Sequence, residues 1–431
     1  MLLVGRNCGG EGCSSFMRLS VMDVFLVFLI LCLSGNRAFI APDRFEFVML
    51  LSAFFLLSMF VFRGRRPLTR TFLLVSVGFL LVFGGHVYHF GFFPVTTVGG
   101  FYIKLFVAFA VISLVNDFLK TYVYAMFFIS LISFVFYVPD QYAHLLGEDM
   151  RWLFLPVNSV LGIPAEATVD RINIGIYNFQ VGEHATRNAA FFWEPGVFSG
   201  YLMLAIIFLS TCRHRMSARN VRLILFVLVV AVLTTQSTAG IVVLPLALML
   251  FVKFNFTNFR SSVRTNLILV VCFITLFIFA FVAAQFDFVG YKIVTLFEQA
   301  VNMEAGWQLS RFGAMFFDWP YIQSHPLVGW GQNDSSQYLL NQELDRFALG
   351  NGMTGFLRQM GLLGMAIFLF SLWGGLRRFG LEKFHSAYII FLVLLILNGE
   401  YFLLYPLFMG LMFLSPQKGS WVQPFSRRVN V

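Results

Sequence analysis

The chain has 431 residues, 59% of them hydrophobic and 12% charged, with a mean hydropathy of +0.80 and a formal net charge of +9. This composition lies far outside soluble averages and excludes an ordinary water-soluble enzyme. It also excludes reading the charge as a nucleic-acid footprint, because the basic residues lie mainly in short loops between apolar runs, the positive-inside pattern of membrane proteins.

The tail through Ser20 is Gly-rich and holds Cys8 and Cys13 without the further ligands a zinc site needs. Cys32, Cys212 and Cys272 fall in apolar runs or at their ends, so no disulfide framework is expected. Residues 21–34 form a short apolar run with Arg6 and Arg18 before it. A cleaved signal peptide fits that pattern, but a retained anchor fits better because further spans follow at once. Residues 45–62, 71–90, 101–115 and 122–138 are the next four spans. A first long polar segment, 139–190, leads to a span at 195–212. Two short spans, 223–235 and 240–252, flank Gln236-Ser237-Thr238-Ala239, and a further span covers 267–284. The second long polar segment is 285–352, followed by a span at 353–373. Residues 387–414 are too long for one ordinary span and are interrupted at Asn398-Gly399-Glu400-Tyr401, so they read as two. The expectation is an all-α, polytopic integral membrane protein, a single membrane domain over residues 1–431 with about twelve transmembrane helices.

Orientation follows from the short loops. Loops 63–70, 212–222, 253–264 and 374–385 hold 14 Lys and Arg residues, whereas 35–44, 91–100, 235–239 and 398–401 hold only Arg37 and Arg44. Both termini are therefore expected in the cytoplasm, and both long polar segments outside.

The stretch from Arg187 to Gly196 organises this layout. Pro195 suits the first position of a helix, which places Glu194 at the helix boundary and Arg187 in the loop before it. An arginine at the outer surface can hold phosphate in a planar, bidentate manner. A glutamate beside a helix N-terminus is favoured in its ionised form, suited to a base or an ion-pair partner. A structural salt bridge fixing the loop to the span accounts for the same two residues. Arg311 is a second candidate phosphate clamp, and His184 a secondary candidate base. His325, before Pro326, is a candidate base or a turn residue; Asn351 either caps the following span or touches substrate. Glu400, between two short apolar runs, requires a cation or a polar cavity. His86 and His89 share one helix face, but no third ligand completes a metal site, so packing roles are favoured. No phosphate-binding glycine loop, dinucleotide fingerprint or nucleophile elbow occurs in the chain.

In order and spacing, several short motifs resemble the bacterial O-antigen polymerase and ligase superfamily, and within it the Wzy-type polysaccharide polymerases, colanic-acid polymerases among them. They are Arg187 with Phe192-Trp193-Glu194-Pro195, Ser237-Thr238-Ala239-Gly240, and Ser310-Arg311 leading to His325-Pro326-Leu327-Val328-Gly329-Trp330-Gly331. Asn351-Gly352 before Gly361-Leu362-Leu363-Gly364, and Gly399-Glu400-Tyr401 with Pro406, complete the set. The likeness covers roughly residues 187–414; many members carry Ser-Arg where this chain has Ser237-Thr238.

The resemblance implies a glycosyltransferase of exopolysaccharide or lipopolysaccharide biosynthesis at the outer face of a bacterial inner membrane. Its substrates would be polyprenyl-diphosphate-linked oligosaccharides drawn from among the membrane lipids, and it would need no cofactor and no metal. Arg187, Arg311 and Glu194 would be catalytic, with His184, His325, Asn351, Glu400 and Tyr401 binding substrate. A chain-length regulator and a flippase are the protein partners such an enzyme could meet. An O-antigen-type ligase, which transfers finished glycan to an acceptor, is the nearest alternative. A lipid-linked sugar transporter is a further alternative, and it predicts polar residues and broken helices at membrane mid-depth rather than in outer loops.

Overall fold

The computed structural model describes residues 20–40, 45–91, 94–147, 150–160, 171–180, 185–255, 311–331 and 351–416. Its first half runs α1 (Val21–Gly35), α2 (Arg37–Ile40), α3 (Phe45–Phe62), α4 (Arg70–Phe90), α5 (Val95–Leu114) and α6 (Phe118–Leu145). A small polar unit follows, made of a 3-10 turn (Arg151–Phe154), α7 (Leu155–Val160) and the strands β1 (Arg171–Asn173) and β2 (Asn178–Gln180). The second half holds α8 (Pro195–Cys212), α9 (Ala218–Thr235), α10 (Thr238–Asn255), α11 (Arg311–Ser324), α12 (Gly352–Arg378), α13 (Lys383–Gly399) and α14 (Pro406–Gly410).

Among the described residues, seven helices are long and apolar enough to cross a membrane, and Val21–Gly35, Thr238–Leu250 and Lys383–Gly399 are shorter apolar helices. The protein is thus a multi-pass helical bundle. The expected span at 267–284 lies outside the described residues. The last expected span takes another form: after Glu400 the chain makes only the five-residue α14 and a 3-10 turn, Leu411–Phe413. Pro406 to Leu414 are all buried, so this segment fills the bundle instead of facing lipid.

The described parts of the first long polar segment hold helix and strand. Helix α6 continues through Pro139 to Leu145. Contacts to the outer segment hold that extension: Tyr137 Oη donates to the Thr186 carbonyl at 3.0 Å, and Gln141 Nε2 to the Ala185 carbonyl at 3.1 Å. Asp140 and Arg151 make a buried ion pair at 3.4 Å. The antiparallel hairpin β1–β2, with Arg171 opposite Gln180, packs Ile172, Tyr177 and Phe179 against Phe136 and Phe154.

Helix α8 is the central post, packed on α6, α9, α10 and α13. The two ends of the bundle differ chemically. At one end arginines tie helix ends together: Arg63 Nη1 donates to the Leu114 carbonyl at 2.6 Å, and Arg215 pairs with Asp117 at 3.1 Å. Lys120 Nζ donates to the Arg215 carbonyl at 3.0 Å. At the other end lie the start of α8, the end of α13 and the start of α12, where most of the candidate residues gather.

Candidate functional site

The loop before α8 is fixed from three sides. Asn188, fully buried, donates through Nδ2 to Ser133 Oγ at 3.0 Å and Thr234 Oγ1 at 3.1 Å, and its Oδ1 accepts from the Ala190 N–H at 3.0 Å. Ala190 takes a positive φ of 47°, turning the chain so that the Phe191 and Phe192 rings bury and stack at 4.4 Å. Phe192 lies against Gly35, where a Cβ would come within 2.2 Å of its ring. Asn178 Nδ2 donates to the carbonyls of Phe192 at 2.8 Å and Trp193 at 3.2 Å. Glu194 follows in an extended conformation (φ −144°, ψ 150°) as the residue before the helix, and Pro195 takes the first helical turn. The Glu194 side chain makes no cap hydrogen bond to α8. Arg187 is half-buried, next to Asn188, where the loop meets α6 and α9.

Glu400 occupies the matching position at the end of α13, where the chain leaves the helix fully extended (φ −155°, ψ 161°). Helix α12 presses against this break: a Cβ on Gly352 would sit 1.9 Å from the Glu400 carbonyl oxygen, and one on Gly355 2.8 Å from the Tyr401 ring. Between α13 and α14, Tyr405 feels both carboxylates. Burial, then Glu400, then Glu194 push its hydroxyl up to about 12. Trp193 packs on the Tyr405 ring at 5.0 Å. Beside them a narrow cleft runs between α8, α10 and α13, walled by Gly196, Ser199, Gly200, Gly240, Gly399 and Glu400. The Ser199 Oγ is buried there without a hydrogen-bond partner.

Behind the break, α12 carries a second polar group. Asn351 caps it, its Oδ1 accepting from the N–H groups of Met353 and Thr354, both at 3.1 Å, while its Nδ2 donates to Asn398 Oδ1 at 2.8 Å. The Tyr401 hydroxyl donates to Gln359 Oε1. Arg358, only 5% exposed, lies beside Asp318 of α11, which is 0% exposed; the Nε to Oδ1 distance is 3.3 Å. Asp318 Oδ2 accepts from the Thr354 hydroxyl at 2.6 Å. Burial raises the Asp318 carboxyl above its usual range, against the opposing effects of Arg358 and the Thr354 hydrogen bond. Arg358 and Asp318 had no place among the residues singled out from the sequence. A charge inside an apolar run was the signal for Arg358.

Helix α12 is broken at Gly361, where φ is 64° and ψ −173°. The segment 326–331 repairs the break. Trp330 and Gly331 N–H groups donate to the carbonyls of Arg358 at 2.7 Å and Gln359 at 2.9 Å. Leu362 and Leu363 N–H groups donate to the carbonyls of Pro326 at 2.8 Å and Leu327 at 2.9 Å. His86 Nε2 contacts the Val328 carbonyl at 2.6 Å and fastens the segment to α4.

His325 stacks on Trp330 at 4.4 Å and stands 5.1 Å from the His89 ring, centroid to centroid. Burial and the nearby His89 lower its pKa. These contacts make His325 part of an aromatic brace. Arg311 opens α11, and only its backbone is described; His184 lies outside the described residues. Among the described residues, no three His, Cys, Asp or Glu side chains group as a metal site would require.

The structure therefore brings Glu194, Glu400, Tyr401 and Asn351 to one end of the bundle and adds Tyr405, Arg358 and Asp318. No model of a known protein family and no curated protein matches the chain.

Proposed function

We propose that this chain is a membrane glycosyltransferase that joins polyprenyl-diphosphate-linked oligosaccharide units at the outer face of a bacterial inner membrane, a polymerase of the Wzy type. The observation that supports this reading is the cleft between α8, α10 and α13, which Glu400 walls and which reaches Gly196 at the head of α8, two residues after Glu194. In the reaction, an acceptor hydroxyl attacks the anomeric carbon of the donor glycan. The new glycosidic C–O bond forms as the bond to the lipid diphosphate breaks, and the diphosphate leaves with the electron pair. Glu194 takes the hydroxyl proton as general base, and Glu400 orients the acceptor. Arg187 and Arg311 are assigned to the charge that builds on the departing diphosphate. Tyr401 and Asn351 shape the wall of the site through Gln359 and Asn398.

A second reading, a transporter of lipid-linked sugars, is favoured by one observation. Helix α12 is interrupted at Gly361 and carries a buried ion pair close to the interruption, the arrangement used by carriers with discontinuous helices.

One experiment separates the readings: deletion of the protein, extraction of carrier lipids, and resolution of the attached glycans by length and by membrane face. Single repeat units on the carrier at the outer face support the polymerase. Long polymer still attached to the carrier replaces it with a ligase, and single units retained at the cytoplasmic face replace it with the transporter.

A further inference from the structure

Arg358 has more donors than the protein satisfies. A guanidinium offers five N–H donors and no acceptor, and it stays charged wherever it is placed. Its carboxylate partner is Asp318, yet the two do not form the parallel, two-bond arrangement that such pairs favour. Asp318 Oδ2 is occupied by the Thr354 hydroxyl at 2.6 Å, and the remaining oxygen, Oδ1, meets Arg358 Nε at 3.3 Å without hydrogen-bond alignment. Arg358 Nη1 is buried and has no hydrogen-bond acceptor. Thr354 takes one carboxylate oxygen, so Asp318 meets Arg358 at Nε alone and leaves the Nη1 edge of the guanidinium open.

The surroundings say what the open edge suits. An arginine in the early turns of an otherwise apolar helix is costly to keep, and such residues mark sites where charge is used. The extended residues Gly399 to Tyr401 stand between this cluster and the cleft: Gly355 touches the Tyr401 ring, and Gly352 the Glu400 carbonyl. On the cleft side stands the carboxylate of Glu400. On the α12 side the fixed charges are Arg358 and Asp318, and the donor without an acceptor belongs to Arg358.

We propose that Arg358 is an anion-binding residue of this site, taking phosphate oxygens of a diphosphate ester on its open edge, with Asp318 as the residue that positions it. The proposal rests on the glycosyltransferase reading for the identity of the ester and names a diphosphate-binding arginine beyond Arg187 and Arg311.

The test measures binding alone, so it is independent of turnover. The purified full-length protein in nanodiscs is titrated with farnesyl diphosphate, farnesol and inorganic pyrophosphate, following the rise in melting temperature. Three variants are compared with it: Arg358→Gln, Arg358→Lys, and Arg358→Gln combined with Asp318→Asn. The double variant removes both charges and so avoids an unmatched buried carboxylate. Farnesyl diphosphate binding is expected to weaken about 10- to 100-fold in Arg358→Gln and in the double variant, and less in Arg358→Lys. Farnesol binding is expected to be the same in all four proteins. Wild-type affinity for farnesyl diphosphate in a folded double variant, or in both single variants, overturns the proposal. So does equal stabilisation of the wild type by farnesol and farnesyl diphosphate, which assigns binding to the tail. Pyrophosphate binding as tightly as farnesyl diphosphate, and losing affinity in the same variants, supports the anion site and overturns its lipid-linked source. Loss of the polymerase phenotype prediction leaves each of these results unchanged, so the two readings fail separately.

Discussion

Helices α3 and α8 have the same 18-residue length, but α3 has the higher mean hydropathy, 2.3 against 1.7, and is the less buried, 22% against 89% for the α8 window. In water this order would be reversed. In a membrane the most apolar surface belongs to the lipid, and the interior goes to helices with small residues that let backbones approach. Gly196, Ser199 and Gly200 serve that purpose on α8, where α10 packs so closely that a Cβ on Gly240 would come within 2.0 Å of Ser199 Oγ. The central helix is therefore marked by its small residues and by the carboxylate at its start. Helix α3 is marked by the large side chains it exposes, including Phe47 and Phe54.

This contrast can be broken or sharpened by substitution. The largest expected effect is at the head of α8: Glu194→Gln should lower turnover about 10²- to 10⁴-fold, the usual contribution of a general base. The measurement is polymer formed from purified lipid-linked units, with folding checked separately. Substantial activity in the glutamine variant would leave Glu194 as a brace for the loop. Next comes Asp318→Ala, which strands the Arg358 charge in the bundle and should cost about 3–5 kcal/mol of stability. Denaturant unfolding in detergent reads this directly, and a loss below that of a surface substitution would show that water reaches the pair.

Gly200→Val tests the α8 interior, because a Cβ there would stand 2.5 Å from the Phe402 ring. Overpacking should cost about 1–3 kcal/mol. Asn351→Ala removes the cap of α12 and its bond to Asn398, with an expected loss of about 1–2 kcal/mol. The smallest effect belongs to α3. Phe54→Ala, at a position 61% exposed on the bundle surface, should change stability by about 0.5 kcal/mol or less. A large loss there would show that α3 is covered by another chain, and the contrast with α8 would then belong to the isolated subunit only.

Local signals were legible in the sequence. Proline at the first position placed the start of α8 at residue 195, and apolar run length placed α4 and α9 to within a few residues. Basic loops at one end of the bundle were equally readable, since loop charge needs no tertiary knowledge. The extension of α6 past Pro139 was hidden because much of its support comes from Thr186 and Ala185, more than forty residues further along the chain. The short final segment read as a span because burial in protein and burial in lipid select the same apolar residues. Arg358 and Asp318 escaped for a related reason. One charge barely lowers the mean hydropathy of a long helix, and its partner lies in a different segment. Among the candidate residues, Glu194, Glu400 and Asn351 stood out by their positions next to apolar runs, and Tyr401 only through the resemblance. Tyr405 resembled any other interfacial aromatic residue.

The break in α12 has a consequence for how the protein is made. In lipid, each backbone group without a partner costs several kcal/mol, and the chain around Gly361 cannot satisfy the groups of Arg358, Gln359, Leu362 and Leu363 from within its own helix. Their partners, residues 326–331, are synthesised earlier and are fastened by His86 to a helix made earlier still. Helix α12 is thus an incomplete passenger on leaving the ribosome. It becomes a stable membrane helix only by docking onto a template that the preceding chain has already assembled, so biogenesis of this end of the protein must run in chain order.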